Sequence, residues 1–284
     1  MHGTLALPHL APRRDALPGF GLTLGVTLLW LSAIVLGPLA ALALRPWELG
    51  VAGVLDSLAE PRVLAALRLS FGGALLAAAL NVPLGLLLAW VLTRYDFPGR
   101  RLADAMVDMP FALPTAVAGV ALTALYAPNG WLGEPLAEAF GWRVAFTPAG
   151  VLVALAFVGL PFIVRTVEPV LRDLPLETEE AAATLGATRA QTLRRVVFPA
   201  LAPALLTGFG LAFARAVGEY GSVIFIAGNM PMVSEIAPLL IVTRLEQYDY
   251  AGAAAVGVAM LALSFAILLV VNLLQRALRP ERHA

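Results

Sequence analysis

Apolar residues follow one another in six long stretches along this chain, and polar residues gather between them. The stretches lie at roughly 20–44, 69–93, 105–126, 149–170, 202–227 and 252–274. A bilayer core about 30 Å thick needs about 20 mostly apolar residues in a helix, and each stretch is about that long. The pattern therefore predicts an all-α polytopic membrane protein with six transmembrane helices. The third stretch fits least well, because Asp108, Pro110 and Pro114 lie near its start.

The composition supports the same class and excludes others. Hydrophobic residues make up 60% and charged residues 13% of the 284 residues, against about 45–50% and about 25% in soluble domains. Soluble enzymes and disordered proteins are therefore excluded. The 19 basic and 19 acidic residues leave no positive excess, so no nucleic-acid partner is expected. The sequence has no Cys, and its three His are His2, His9 and His283, so no cofactor, metal site or catalytic centre is expected.

The placement of arginine predicts the orientation of the chain in the membrane. With the N-terminus inside, the inner segments hold twelve arginines, the outer segments hold five, and two lie within the stretches. Cytoplasmic loops carry an excess of Lys and Arg, so we expect both termini to be cytoplasmic, in a bacterial inner membrane. Arg13 and Arg14 precede the first stretch as they would precede a secretory signal. Its apolar run exceeds the about 7–15 residues of a signal core, however, so we expect a retained helix.

The pattern divides the chain into four parts. Residues 1–19 are a cytoplasmic tail, 20–65 the first transmembrane helix with an outer segment, 66–275 a five-helix transmembrane unit, and 276–284 a cytoplasmic C-terminal tail. Two outer loops, near 127–148 and 228–251, carry aromatic and methionine side chains. They are interpreted either as an aromatic belt at the headgroup level or as a docking surface for an extracytoplasmic partner.

The longest inner loop, 171–201, has the pattern of two short helices around a glycine. The alanines at 181–183 favour a helix, and Gly186 tolerates the left-handed backbone that ends one. Thr188 and Gln191 have the spacing of a capping box that begins a second helix. A small alanine face between charged ends allows another surface to approach closely. The alternative is an ordinary solvated helical hairpin.

Seven residues of this loop carry a family resemblance. They are Glu180, Ala181, Ala182, Gly186, Val196, Phe198 and Pro199. Together they resemble the E-A-A loop of ABC importer permeases, in which E-A-A is followed after three residues by G and after nine more by I-x-L-P. Every spacing fits, with Val196 in place of Ile and Phe198 in place of Leu. The resemblance implies the type I importer permease fold and makes these residues a loop that couples the permease to an ATPase.

Two further segments resemble a narrower group. Residues 213–229 resemble the fifth span of sulfate and molybdate permeases, and residues 17–31 resemble the T-type permeases of sulfate/thiosulfate importers. This implies a transmembrane permease subunit of an ATP-driven sulfate/thiosulfate importer. A molybdate or tungstate permease is the alternative within the class. An ion-gradient-driven secondary anion transporter is the alternative from another class, with Asp108 and Glu219 as its candidate coupling acids.

The resemblance also implies partners. They are ABC ATPase subunits, a second homologous permease and a periplasmic sulfate/thiosulfate-binding protein, besides membrane lipid. The chain has no G-x-x-x-x-G-K-[ST] loop, so it cannot hydrolyse ATP by that route. We therefore expect a non-catalytic subunit whose ATP hydrolysis is carried out by a partner.

Charged residues inside the apolar stretches are the remaining candidates for function. Arg215 and Glu219 are four residues apart and share a helix face. They are interpreted either as a self-neutralising pair at a subunit interface or as the lining of an anion pathway, which Ser222 and Asn229 would extend. Arg165 and Glu168 are expected to pair or to reach the cytoplasmic face. Asn81 is expected to form a helix–helix hydrogen bond.

Overall fold

The computed structural model of the chain describes residues 19–278, and every regular element among them is helical. The prediction of an all-α fold is confirmed. Most of both predicted tails and all three histidines lie outside the described residues.

The described residues up to Leu44 belong to one compact unit. It contains helix α1 (Phe20–Leu31), a π-helical segment (Ser32–Leu36) and helix α2 (Gly37–Leu44). Apolar residues occupy every side of this rod, as expected for a helix surrounded by hydrocarbon. At about 1.5 Å per residue, its length is about 37 Å, which is enough to cross a bilayer.

The second unit begins at Arg45. After a 3₁₀ turn (Arg45–Leu49) come a short helix α3 (Gly50–Ala59) and then α4 (Pro61–Arg94). The remaining helices are α5 (Arg100–Val107), α6 (Met109–Ala112), α7 (Thr115–Tyr126), α8 (Gly133–Phe140), α9 (Pro148–Asp173), α10 (Leu176–Thr184), α11 (Arg189–Thr192), α12 (Phe198–Val217), α13 (Val223–Ile226), α14 (Ala237–Glu246) and α15 (Tyr250–Leu278).

Five helical runs among the described residues are long and apolar enough to cross a membrane. They are Phe20–Ala59, Pro61–Arg94, Pro148–Asp173, Arg189–Val217 and Tyr250–Arg276. The predicted count of six is close, but the third predicted span, 105–126, is not one helix. It divides into α5, α6 and α7, of which only α7 is an apolar helix of ten or more residues. Leu113 is extended, with φ −83° and ψ 137°, because the residue before a proline avoids helical geometry.

The fifth predicted span, 202–227, is also wrong as one helix. Its helix starts earlier, because α11 continues through the π-helical segment Leu193–Val197 into α12. It also ends earlier, at Val217, and the short helix α13 follows after a non-helical stretch. Pro199 lies in α12 directly after the π-helical segment, and the run continues through it.

Helices α4, α9 and α12 form the core of the second unit through small residues at their crossings. A Cβ atom built on Gly85 would lie 2.6 Å from Cγ2 of Ile163, and one on Gly208 would lie 3.1 Å from Cα of the same residue. Small residues of this kind allow helices in a membrane to approach closely. The predicted hydrogen bond of Asn81 is confirmed, because its Nδ2 donates to the Ala156 carbonyl at 2.9 Å.

Candidate functional site

The loop at 171–201 forms two helices on either side of Gly186, as predicted, but only the first, α10, is short, because the second begins with α11 and continues into the run Arg189–Val217. Helix α10 ends where Gly186 adopts φ +83°. The N–H of Gly186 donates to the Ala183 carbonyl at 2.9 Å, and the N–H of Ala187 donates to the Ala182 carbonyl at 3.0 Å. These two bonds form a Schellman motif, which satisfies the last carbonyls of the helix.

The second helix of the pair begins at the predicted capping box. The Thr188 hydroxyl accepts from the Gln191 N–H at 3.3 Å, and the Gln191 side chain accepts from the Thr188 N–H at 2.8 Å. The two motifs fix both sides of the turn with hydrogen bonds made inside the hairpin. The sequence was sufficient to predict this local geometry because all partners lie within five residues of one another.

The structure separates the seven motif residues into three groups. Ala182, Gly186 and Val196 line a shallow cavity of about 280 Å³. Leu185 lies beside them with 88% of its surface exposed. Glu180 and Ala181 are exposed on α10, outside this cavity. Phe198 and Pro199 are exposed at the start of α12, and Phe198 lines a different groove.

Arg94 at the end of α4 connects the hairpin to the helix bundle. Its Nη2 donates to Oε1 of Glu179 at 2.9 Å and to the Leu174 carbonyl at 3.3 Å. Its guanidinium carbon lies 5.7 Å from the ring centroid of Trp90. We refer to Arg94, Glu179 and Leu174 as the brace. Sequence reasoning missed it, because Arg94 and Glu179 are 85 residues apart.

Arg165 on α9 is the centre of a second non-local network. Its guanidinium makes two hydrogen bonds to the Asp108 carboxylate, at 2.8 and 2.7 Å. Nη1 also donates to Asp104 and to Glu168, both at 2.7 Å. Arg172 pairs with the other oxygen of Glu168. The expected pairing of Arg165 with Glu168 is therefore present. Asp104 on α5 and Asp108 at the α5–α6 junction are further partners that the sequence did not predict. The network fastens the broken third span to α9.

The pathway candidates Arg215, Glu219 and Ser222 lie together where α12 ends. Nη1 of Arg215 lies 2.6 Å from Oε2 of Glu219. The backbone N–H and the hydroxyl of Ser222 both donate to Oε1 of Glu219 at 2.8 Å. Glu219 is 2% exposed, so its buried carboxylate is paired and hydrogen-bonded, as burial of a charge requires.

Asn229 does not join this cluster by a hydrogen bond. Its Nδ2 donates to the Ile224 carbonyl at 2.7 Å, while its buried Oδ1 has no hydrogen-bond partner within residues 19–278. Its backbone has φ +54°. Asn229 therefore caps the end of α13 and leaves one amide oxygen unused.

Helix α7 holds the cluster from the other side. A Cβ atom on Gly119 would lie 2.5 Å from the Ser222 carbonyl oxygen, and one on Gly221 would lie 2.2 Å from Oγ1 of Thr115. No side chain fits at either glycine without moving backbone or Thr115. The segment between α12 and α13 is therefore packed tightly against the broken third span.

The two outer loops carry strain and exposed apolar side chains. All four non-glycine residues with positive φ in the described chain lie in them: Phe146, Asn229, Met232 and Tyr248. Trp131 is 90% exposed. Glu235 lies in the second of these loops, and both of its carboxylate oxygens accept from Arg62, in the first turn of α4, at 2.7 Å. Backbone strain of this kind persists where surrounding structure holds it and often marks functional surfaces.

These features define a class of protein: an all-α membrane permease of the ABC importer type, with apolar spanning helices and a glycine-centred hairpin. The family described as "Binding-protein-dependent transport system inner membrane component" matches residues 81–283, and the chain belongs to this family. It is a multi-pass inner-membrane protein and a transport component.

Relatives with high similarity include the sulfate transport system permease proteins CysT of several organisms. The protein from Salmonella typhimurium is 48% identical over 92% of this chain and 94% of its own length. The Escherichia coli protein gives the same identity and coverage. The Synechococcus elongatus protein is 50% identical over 88% of this chain and 89% of its own length.

Solved structures of ABC importers share the fold. A bacterial transporter that imports alginate matches with a TM-score of 0.75 at 16% identity, over 92% of this chain and 96% of that chain. The alginate transporter in complex with its pentasaccharide-bound periplasmic protein gives a TM-score of 0.74 at 18% identity, over 91% and 94%. An inward-facing methionine transporter gives 0.53 at 21% identity, over 77% and 94%.

Proposed function

We propose that this chain is one of two transmembrane permease subunits of an ATP-driven importer for sulfate and thiosulfate. The observation that carries the substrate class is the 48–50% identity to sulfate transport permeases over most of both chains. Both termini are cytoplasmic in this proposal, so the 171–201 hairpin faces the cytoplasm. The second permease subunit is a homologue of this chain.

The hairpin is the docking site for separate ABC ATPase subunits, and this chain is not catalytic. Its surface supports this role, because Leu185 is almost fully exposed beside the cavity formed by Ala182, Gly186 and Val196. An exposed large apolar side chain next to a concavity is typical of a protein interface. Glu180, also exposed, adds a charge at the rim of this surface.

Motion of the ATPase pair reaches the helices through the hairpin. Its internal caps make it a rigid body, and the brace connects it to the end of α4 at Arg94. In the proposed cycle the hairpins move with the ATPase subunits, and the bundle alternates between inward-facing and outward-facing states. The network around Arg165 transfers the same motion from α9 to α5 and α6.

Arg215, Glu219, Ser222 and Asn229 are the proposed anion pathway. About a third of the Arg215 side chain is exposed, and only its Nη1 contacts Glu219. The remaining guanidinium N–H groups are available to attract a dianion. Because Glu219 already neutralises part of that charge, the anion is held weakly, and a transported ion must be able to leave.

The two outer loops are the proposed contact for a periplasmic sulfate/thiosulfate-binding protein. Trp131, Met232 and Tyr248 expose most of their surface there. A structural relative forms a complex with a periplasmic protein. The exposed side chains and the strained backbone of these loops favour docking of the binding protein over an aromatic belt at the headgroup level.

Reconstitution of the complete importer in proteoliposomes tests the proposal. We expect ATP-dependent uptake of labelled sulfate that excess thiosulfate inhibits and molybdate does not. Uptake that molybdate inhibits preferentially would support the molybdate alternative. Uptake that continues without ATP and stops when an ion gradient is dissipated would support secondary transport instead.

A further inference from the structure

Two contiguous cavities lie along one side of α4 and the α11–α12 run. The larger is a groove of about 420 Å³ with almost entirely apolar walls. Its apolar lining includes Val82, Leu86, Trp90, Val197, Phe198 and Leu201. The smaller, about 190 Å³, is polar and lies against the hairpin, with Glu179, Arg189 and Thr192 in its wall. Trp90, Arg189 and Leu193 line both cavities, so together they form one amphipathic site.

The dimensions of the groove match one leaflet of a bilayer. The residues of α4 that line the groove run from Val82 to Trp90, eight positions that rise about 12 Å at about 1.5 Å per residue. Half of a hydrocarbon core about 30 Å thick is about 15 Å. The apolar part therefore covers most of the depth of one leaflet and ends about one helical turn before Arg94, the last residue of α4.

The polar part carries an uncompensated positive charge. Glu179 is already paired with Arg94 at 2.9 Å. The guanidinium of Arg189, in contrast, has neither a hydrogen bond nor an ion pair within residues 19–278. A basic group at the cytoplasmic end of an apolar groove between transmembrane helices selects an anionic lipid headgroup. An indole such as Trp90 is also favoured at that depth.

We propose that this site binds an anionic phospholipid, with its phosphate against Arg189 and one acyl chain in the groove. The proposal uses the proposed function only to place the lipid in the cytoplasmic leaflet. The lipid lies between α4 and the base of the hairpin, beside the brace. It therefore occupies a position from which it can stabilise the hairpin in its coupled geometry.

Binding of phosphatidylglycerol to the purified complete importer tests the site directly. The complex is placed in nanodiscs of zwitterionic lipid and titrated with phosphatidylglycerol, and retained lipid is counted by native mass spectrometry. Arg189→Gln should weaken the retention of one phosphatidylglycerol about fivefold, since each basic side chain near the membrane surface contributes about that factor. Arg189→Lys should retain most of it. Arg194→Gln is the matched control, because Arg194 lies on the same segment but lines neither cavity.

Two further experiments distinguish a phospholipid in the groove from a free phosphate compound or a protein subunit. Leu86→Trp fills the apolar groove and should displace the same lipid without changing Arg189. Glycerol 3-phosphate should not compete, because it lacks an acyl chain. Equal retention by Arg189→Gln and wild type, or equal loss in Arg194→Gln, would overturn the proposal. So would loss of the second permease in Leu86→Trp, because the groove would then be a subunit interface. None of these readouts requires transport, so failure of the lipid site and failure of the sulfate assignment are distinguishable.

Discussion

The hairpin around Gly186 and the segment around Glu219 are both built from contacts between near neighbours in sequence, yet they face opposite environments. At the hairpin, Leu185 is 88% exposed, and the hydrogen bonds on both sides of Gly186 satisfy backbone groups at the two helix ends. At the pathway segment, Glu219 is 2% exposed and Arg215 and Ser222 occupy both of its oxygens. A docking surface must leave apolar area for a partner, whereas a buried charge must be satisfied within the chain.

The glycines of the two regions show the same contrast. A Cβ atom on Gly186 would meet nothing within 4 Å, so only its φ of +83° requires glycine. A Cβ atom on Gly119 would lie 2.5 Å from the Ser222 carbonyl. A substitution at Gly186 acts on backbone geometry and on a partner, whereas one at Gly119 acts on packing inside the chain.

Gly186→Asp should have the largest effect, and it tests whether the hairpin serves an external partner. A left-handed backbone costs a non-glycine residue about 1 kcal/mol or more, and the new carboxylate projects into the open space at which we propose that the ATPase docks. We expect normal membrane insertion, loss of ATPase subunits on co-purification, and no sulfate uptake.

Gly99→Asp is the matched control for that variant. Gly99 has φ +88° and open space around its Cβ position, but it lies outside the hairpin. Its substitution should impose similar strain and leave ATPase association intact. If Gly186→Asp retains normal association and uptake, the hairpin is not the docking site.

Arg215→Ala should have the next largest effect, and it tests the role of the buried segment around Glu219. Removing Arg215 would leave the buried carboxylate of Glu219 without its charge partner, and because Arg215 is about a third exposed, the cost should be below the about 3–5 kcal/mol of a fully buried pair. We expect poor assembly as well as lost uptake, measured by complex yield and by transport per assembled complex. The single variant therefore cannot separate a structural role from a pathway role.

A double variant makes that separation. In Arg215→Ala with Glu219→Gln, no charge is left unpaired, and the amide oxygen can still accept from Ser222. If Arg215 lines the pathway, assembly should recover and uptake should not. If uptake recovers together with assembly, Arg215 and Glu219 are only a structural pair. Arg215→Lys alone should give intermediate uptake, since lysine retains the charge but not the planar fork.

Whether the sequence could predict a contact depends on how many residues separate the two partners along the chain. The cap at Gly186, the box at Thr188 and the pairing of Arg215 with Glu219 involve residues at most five apart, and all three are present in the structure. The brace and the contacts of Arg165 with α5 join residues 57 to 85 apart. Helix packing alone brings those partners together, so periodicity and spacing carried no signal of them.

The broken third span illustrates a different limit. Hydropathy alone predicted one helix through 105–126, since polar and proline residues are tolerated in spanning helices. Pro114 ended that helix by forcing Leu113 into an extended conformation, and Asp108 at the break is held by Arg165. The presence of both Asp108 and Pro114 in one apolar stretch was therefore the sequence feature that indicated a break in the helix. Its tertiary partner could not be predicted from the sequence.

Reversing the charges of the brace should give a moderate effect and tests how the exposed hairpin is connected to the bundle. Arg94→Glu and Glu179→Arg alone each place like charges at a contact of 2.9 Å. Each should lower the sulfate transported per ATP hydrolysed several-fold while the ATPase stays bound. The double reversal should recover part of that ratio, since coupled residues show interaction energies of about 0.5–3 kcal/mol.

Arg100 and Asp96 provide the control pair. They also form an ion pair near the end of α4, but Asp96 is 95% exposed and neither residue contacts the hairpin. Exposed pairs of this kind contribute about 0–1 kcal/mol, so their reversal should leave the transport ratio unchanged. An equal loss at both pairs, or no recovery in the double reversal of the brace, would mean that Arg94 does not transmit motion.

Thr188→Ala should have the smallest effect, and it measures how much the hairpin depends on its own caps rather than on its partner. Loss of an N-cap hydroxyl costs about 0.5–2 kcal/mol, and the Schellman motif at Gly186 remains. We expect ATPase affinity to fall by a factor of about ten or less, with uptake reduced mainly when ATPase is limiting.

Thr184→Ala is the control, because its hydroxyl donates only to the Ala181 carbonyl within α10 and caps nothing. If Thr188→Ala abolishes association as completely as Gly186→Asp, the preformed shape of the second helix decides docking. If both threonine variants behave as wild type, the partner imposes the geometry of the hairpin, and its exposed apolar surface contributes more to docking than its internal hydrogen bonds.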